Sequence, residues 1–386
     1  MKVSCLQENL ARGLSIVGRA VSSRTTLPVL NNVMLTTDQG RLRLSATDLE
    51  IGIHCWIGAK VETEGAITVP ARVLTDYVGS LPPERVDMAV DVRSQTLNLR
   101  CARYEAHIRG IDATEFPLIP TDGDGRRISL DPRLFRSMVE QVVFAAATDD
   151  SRPVLTGVYT RLEPTEGGAA LLTLAAADGF RLAVREEQVQ AELSETLTMI
   201  VPARSLSELS RIIGGLSEED LEKPLVVSVT ANRNQVLFQL PNVLVVSQLI
   251  DLTFPDYKAI IPKTHTTRTV VDRQAFHHAV KQAAIFARTA ANVARLQIVP
   301  GTELGPGRLT VTATSAELGD NVGELDASVE GAQMEIAFDT RYLSDVLSAM
   351  DTPQVVVDTI DPSSPGVFRP AGKSNFLAVV MPIYLR

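Results

Sequence analysis

Ile67-Thr68-Val69-Pro70-Ala71-Arg72-Val73-Leu74 returns as Ile200-Val201-Pro202-Ala203-Arg204-Ser205-Leu206 and, more loosely, as Ile336-Ala337-Phe338-Asp339-Thr340-Arg341-Tyr342-Leu343. The three stretches lie roughly 130 to 140 residues apart, the length of a whole domain rather than of a solenoid repeat. Each reads the same way. A short apolar strand stops, twice at a proline that cannot continue a ladder. A helix of about ten residues then opens with arginine in its first turn.

Other marks recur in step. Thr47-Asp48-Leu49-Glu50, Ala177-Asp178-Gly179-Phe180 and Thr314-Ser315-Ala316-Glu317-Leu318 each follow a strand-like run. Leu27-Pro28-Val29-Leu30 pairs with Arg152-Pro153-Val154-Leu155, and Glu115-Phe116-Pro117 with Thr253-Phe254-Pro255. Several coincidences in register point to triplication. Thr121-Asp122-Gly123-Asp124-Gly125 is a turn-rich linker, and residues 261–266 are polar and irregular. The expected domains are therefore 1–121, 128–260 and 266–386. Helices are expected near 7–20, 71–80, 132–146, 203–213, 272–287 and 340–350. Alternating runs such as Thr96-Leu97-Asn98-Leu99-Arg100 read as half-buried strands. The class is α+β: three similar domains with antiparallel sheets and two helices each.

At 386 residues, 45% apolar and 22% charged, the chain has an ordinary globular composition. It has no apolar run of the length a membrane helix needs. Gln7, Glu8 and Asn9 interrupt any signal-like apolar core, so a cytoplasmic location is expected. Cys5, Cys55 and Cys101 are odd in number and widely spaced, which argues against a disulfide framework or zinc site. The net charge of −9 argues against nucleic acid at first sight. Its distribution does not. On the six helical spans Arg12, Arg19, Arg72, Arg133, Arg136, Arg204, Arg211, Arg273, Lys281 and Arg341 outnumber the acids. A basic helical surface within an acidic protein suits a face turned to phosphates, although solvated arginines with no partner give the same pattern. If two copies closed a ring, twelve helices at about 9 Å each would leave a bore of about 25 Å, enough for a duplex.

Catalytic motifs are missing from the reading. Gly372-Lys373-Ser374, with Gly366 before it, has five residues between its glycines where a phosphate loop has four, and strand-like runs flank it. His277 and His278 are adjacent on a helix and diverge by about 100°, poor geometry for one metal. Asp149-Asp150 reads as a solvated turn. No catalytic residue, metal or cofactor is expected.

Arg24-Thr25-Thr26-Leu27-Pro28-Val29-Leu30, Thr47-Asp48-Leu49-Glu50, Val69-Pro70-Ala71-Arg72, Ala177-Asp178-Gly179-Phe180-Arg181-Leu182-Ala183, Phe254-Pro255-Asp256-Tyr257 and Val379-Val380-Met381-Pro382 together resemble the bacterial DNA polymerase III beta subunit. The likeness runs along the whole chain. It implies a head-to-tail homodimer, a DNA clamp fold whose helices line a ring around duplex DNA. It implies a non-catalytic processivity factor served by a clamp loader and used by the replicative polymerase and other proteins. It also implies a peptide groove between the second and third domains, at Leu155, Gly179, Phe180, Arg181, Leu182, Pro255, Ile260, Tyr342, Val379, Met381, Pro382 and Ile383. Phosphate contacts would come from Arg24 and Arg72, and from Arg152 and Arg204 as second-domain counterparts, with Arg341 at the third repeat. Dimer contacts would come from Ile108, Ile285 and Phe286, which read equally well as intradomain core. The chain departs from the family at Ala177 and Phe180, where Thr and His are usual, and at Tyr384-Leu385-Arg386 after Ile383. A scaffold that uses the triplicated fold without DNA is the rival reading. The arginine array separates the two, because a scaffold has no need of it.

Overall fold

The computed structural model describes residues 1–22, 27–123, 127–191, 193–289, 291–303 and 305–384. Each copy of the repeated stretch is a strand running straight into a helix. Strand Ala66–Pro70 precedes helix Ala71–Ser80, Leu197–Pro202 precedes Ala203–Gly214, and Met334–Asp339 precedes Thr340–Ala349. The helix starts differ in chemistry. Asp339 accepts the Arg341 amide at 2.8 Å and caps the third helix, whereas Pro70 leaves the first without a side-chain cap. In the first and third copies apolar residues three and four apart turn inward: Ala71, Leu74 and Val78, then Leu343, Val346 and Leu347.

A second helix opens each repeat, at Gln7–Val17, Pro132–Val142 and Arg273–Ala287. The first presses hard on its sheet. A Cβ at Gly13 would lie 2.5 Å from Leu44 Cδ1 and 3.1 Å from Ile57 Cγ2, so a larger residue would force those side chains to shift. Helix Glu218–Leu221, started by the Ser217 cap, was not foreseen from sequence; its single turn is too short to show a period.

The strands form three antiparallel sheets among the described residues. One runs Lys60–Thr63, Lys2–Leu6, Arg85–Asp91, Thr96–Cys101, Tyr104–Arg109. An eight-stranded sheet runs Ile128–Leu130, Leu225–Val229, Gln235–Leu240, Val243–Gln248, Ile51–Ile57, Arg41–Thr47, Asn32–Asp38, Ala66–Pro70. A twelve-stranded sheet begins with Leu197–Pro202, Gly157–Pro164, Ala169–Ala177 and Arg181–Gln190. It continues through Phe376–Val380, Gly366–Pro370, Gln354–Thr359, Thr267–Asp272, Gly319–Gly331, Gly307–Ser315, Val293–Val299 and Met334–Asp339.

Two joins in these sheets cross repeat boundaries. Val243–Gln248 pairs with Ile51–Ile57, Val243 opposite Cys55 and Ser247 opposite Ile51. Phe376–Val380 pairs with Arg181–Gln190, Phe376 opposite Arg185 and Val380 opposite Arg181. The second and third repeats thus each lend their last strand to the repeat before. For that reason the compact units do not follow the repeats: one comprises residues 1–135 and 208–249, the other 136–207 and 250–386. The linker is not free chain either. Its described part packs on the eight-stranded sheet, where a Cβ at Gly123 would meet Ser228 Oγ at 2.7 Å.

Candidate functional site

All twelve residues assigned to the groove lie in the unit of residues 136–207 and 250–386, and the join between Arg181–Gln190 and Phe376–Val380 organises them. The turn before Arg181 is fixed by Asp178. Its Oδ1 accepts the amides of Phe180 at 2.8 Å and Arg181 at 3.0 Å, and its own amide donates to Arg181 O at 3.2 Å. Gly179 takes φ +91°, a left-handed conformation that glycine reaches without a Cβ penalty. The Phe180 carbonyl then accepts the Met381 amide at 2.8 Å, and Ile383 donates to Ala337 O at 2.8 Å. Pro382, between them, has no amide proton to leave unpaired.

Below this frame lies an apolar wall. Leu182, Val379, Ala177, Ala175 and Tyr257 share a buried cluster with Phe254 and Ile261 packed against it, and Leu155 is buried beside its own short 3₁₀ turn. Burial pushes the Tyr257 hydroxyl up to about 12. Above it the residues are open: Phe180 is 58% exposed, Ile260 51% and Met381 41%. The two groups meet at Arg181, whose side chain is only 11% exposed. Its Nε lies 2.9 Å from Asp178 Oδ2 and its Nη1 2.5 Å from Asp345 Oδ2. Its guanidinium is 4.5 Å from the Tyr342 ring centre and 5.4 Å from that of Phe144. Tyr342 in turn stacks with Phe180, centroids 6.5 Å apart and planes at 23°. Burial first, then the nearby Asp178 and Asp339 carboxylates, raise the Tyr342 hydroxyl. Pro255 is exposed at the rim.

The basic positions are less uniform. Arg24 lies outside the described residues. The Arg72 side chain is 94% exposed with Asp76 at 3.8 Å, and Arg204 is also exposed. Arg341 folds back onto its own cap, Nη2 2.6 Å from Asp339 Oδ2 and Nε 3.1 Å from Oδ1, so its charge is locally answered. Arg152 donates from Nη2 to Asp178 O at 2.8 Å, against the groove turn. No sequence period could have reported that contact, since it spans two irregular loops. Of the positions assigned to dimer contact, Ile108 is 7% exposed and faces Leu97 in its own sheet. Ile285 is 58% exposed, and Phe286 is half-buried.

The residues read as non-catalytic behave as ordinary structure. Gly372-Lys373-Ser374 lies between strands Gly366–Pro370 and Phe376–Val380, with Lys373 Nζ 2.7 Å from Asp351. His277 Nε2 meets Ser344 Oγ at 3.0 Å. Asp149 closes a turn onto Ser151, accepting its amide at 3.0 Å. The three cysteines are free and buried. Among the described residues no three His, Cys, Asp or Glu side chains gather as a metal would require, and no helix is long and apolar enough to cross a membrane.

Against known families, the N-terminal, central and C-terminal domains of the DNA polymerase III beta subunit match residues 1–120, 129–256 and 258–384. The chain belongs to the DNA polymerase III beta subunit family. A beta sliding clamp of Synechococcus elongatus is 33% identical over all of both chains, and one of Staphylococcus aureus is 30% identical over 95% of this chain and 94% of its own. Solved DNA polymerase sliding clamps align over their full lengths: that of Bacillus subtilis at 27% identity and a TM-score of 0.90, and the beta subunit of Pseudomonas aeruginosa at 28% and 0.88. The chain therefore has the three-domain DNA clamp fold and is a non-catalytic processivity factor of the sliding-clamp family.

Proposed function

We propose that two copies of the chain close head to tail around duplex DNA and hold partner proteins by short peptides in the groove of Phe180, Tyr342 and Met381. One observation carries the assembly. Within the chain, the last strand of the second and of the third repeat is taken up by the sheet of the repeat before it, at Val243–Gln248 and Phe376–Val380. The last strand of the first repeat, Tyr104–Arg109, pairs on one side only among the described residues. The receiving strand of the third repeat, Gly319–Gly331, which corresponds to Ile51–Ile57 and Arg181–Gln190, meets Thr267–Asp272 over 327–331 alone, which leaves 320–326 with an open edge. A second copy supplies what each edge lacks. Charge leans the same way: Arg103 and Arg109 flank Glu105 and His107 on one edge, and Glu317, Asp320 and Glu324 lie on the other, Glu324 also 3.3 Å from Arg308 of its own chain. Exposed Ile285, Leu318 and Val322 fall on the surface that a partner copy would cover, and Tyr104 on the opposite one.

Duplex contacts fall to exposed Arg72 and Arg204, with Arg24 and Arg341, and would go to phosphates without reading sequence. Arg152 serves the groove turn better than the duplex. Encirclement makes weak contacts sufficient, and a clamp loader would open the ring. A cytoplasmic location follows from this role.

The test is retention on nicked circular DNA after loading by a matched loader, before and after the circle is cut. Loss on cutting is the expected result; unchanged retention would mean direct binding and would remove the encirclement reading. For the groove, Met381→Ala with Pro382→Ala should weaken partner-peptide binding at least tenfold and leave the dimer intact by ultracentrifugation. Unchanged peptide affinity would remove these residues from the site.

A further inference from the structure

Helix Gln7–Val17 of the first repeat meets the second repeat near the far end of strand Ile51–Ile57, away from the turn at 47–51, and a cavity of about 170 Å³ lies between them. Buried Cys55, Ile57 and Val243 and half-buried Ile16 and Leu216 give it apolar walls, and Arg12 and Asp220 stand among its polar groups. Its frame is bonded across the two repeats. The Trp56 amide donates to Asn242 O at 2.9 Å, and Arg12 Nη2 donates to Gly215 O at 3.0 Å. The matching join between the second and third repeats is closed differently. There the hairpin turn spans 371–375, and Lys373 Nζ lies 2.7 Å from Asp351, just past helix Thr340–Ala349. In the second repeat the turn is Pro241-Asn242 alone, and the space beside it stays open. All the lining residues belong to the compact unit of residues 1–135 and 208–249.

We propose that this cavity binds a small free carboxylate carrying one apolar ring. Size sets the ring, since an apolar cavity of about 150 Å³ holds one benzene molecule. Charge sets the carboxylate. Arg12 is exposed and bonded to a neutral carbonyl, which uses one of the donors of its guanidinium fork and leaves the positive charge unanswered by that bond. Asp220, the acid in the wall, is already met by Ser217 Oγ at 3.0 Å and Lys223 Nζ at 3.3 Å. A ligand seated with its ring among the apolar walls and its carboxylate on Arg12 touches the helix of one repeat and the hairpin of the next. Its binding therefore also steadies their join.

The full-length chain would be titrated with para-fluorobenzoate and with its uncharged isostere para-fluorobenzamide, read by fluorine NMR line width. The acid should bind with a Kd of about 1 mM, the range open to a ligand of about ten heavy atoms. The amide should bind at least about fivefold more weakly, and Arg12→Gln should bring the two together. Leu216→Trp and, from the helix, Ile16→Phe fill the cavity, and each should weaken the acid at least about tenfold, with urea midpoints showing that the variants fold. At about ten times the Kd, hydrogen exchange of the Trp56 amide should slow about tenfold. No broadening at about 10 mM acid would overturn the site. Binding undiminished in both filling variants would place the ligand elsewhere and overturn it as well. Equal affinity for acid and amide would overturn the part given to Arg12, and unchanged Trp56 exchange the steadying of the join.

Discussion

The turns at 47–51 and 177–181 have one backbone and two surfaces. In both, an aspartate Oδ1 accepts the amides two and three residues on, at 3.0 and 2.9 Å for Asp48 and at 2.8 and 3.0 Å for Asp178. Both feed a strand that pairs with the last strand of the following repeat. The side chains then diverge: Glu50 and Gln248 in one, Phe180 and Met381 in the other. Even the ion pair beneath is rebuilt from different parts. Arg181 reaches Asp345 in the groove, while in the first repeat Arg19, from another element, reaches Glu208 at 3.0 Å. Repetition therefore supplies a frame, and a handful of side chains decides whether the frame becomes a binding surface.

That contrast can be tested first with acid. On the strand after the first turn, buried His54 bonds to Ser45 at 2.7 Å, while the matching pair in the second repeat is Val184 and Ala175. Burial, with Arg43 adding repulsion and Asp38 and the Ile119 carbonyl opposing it, lowers His54 to about 4. A histidine lowered by folding stabilises the native state above its unfolded value near 6.5, and that contribution is lost as pH falls towards 4. The loss should reach about 3 kcal/mol in the unit holding His54. Trp56, the chain's one tryptophan, reports on that unit in a urea titration. Ser45→Ala with His54→Val, which copies the second repeat, should flatten the dependence. A dependence that survives the double substitution would place its origin elsewhere.

The two ion pairs should differ next. Arg181→Ala removes the partner of buried Asp178 and of half-exposed Asp345 and should cost about 2 kcal/mol. Arg19→Ala should cost about 1 kcal/mol, since Arg19 is more exposed and Glu208 keeps Arg211 at 2.5 Å. Hydrogen exchange on Arg181–Gln190 and on Ile51–Ile57 separates the two; equal losses would break the contrast.

The left-handed positions give the last pair of effects, and one of them is the smallest. Gly179→Ala should destabilise by about 1–2 kcal/mol, because φ is +91° and the Arg152 guanidinium must withdraw. Leu49 already adopts φ +78° with a side chain. Leu49→Gly should stabilise by about 0.5 kcal/mol, the relieved strain slightly exceeding the added freedom of the unfolded chain. Urea midpoints of the two variants give the sign in each case.

Much of this was legible in the sequence, because local rules govern it. The helices begin and end within a few residues of their expected places, and the three turn marks fall between paired strands. The uneven charge on the arginines was not legible. Arg341 shares its repeat position with Arg72, yet Asp339 stands two residues before it where the first repeat has Pro70, and only folded geometry brings the two charges together. Strand lending between repeats was equally hidden. It joins backbone to backbone across some two hundred residues, and such pairing leaves no period in either strand.

That lending also imposes an order in time. Strand Arg181–Gln190 receives its second neighbour from Phe376–Val380. During synthesis its edge therefore waits for roughly 190 more residues, on the order of ten seconds or longer at 5–20 residues per second. Through that interval the wall of the groove is half built, and its open ladder is available to any other strand. Arg185, Glu186 and Glu187, charged residues in the middle of that waiting strand, guard it against a wrong partner until the right one is made.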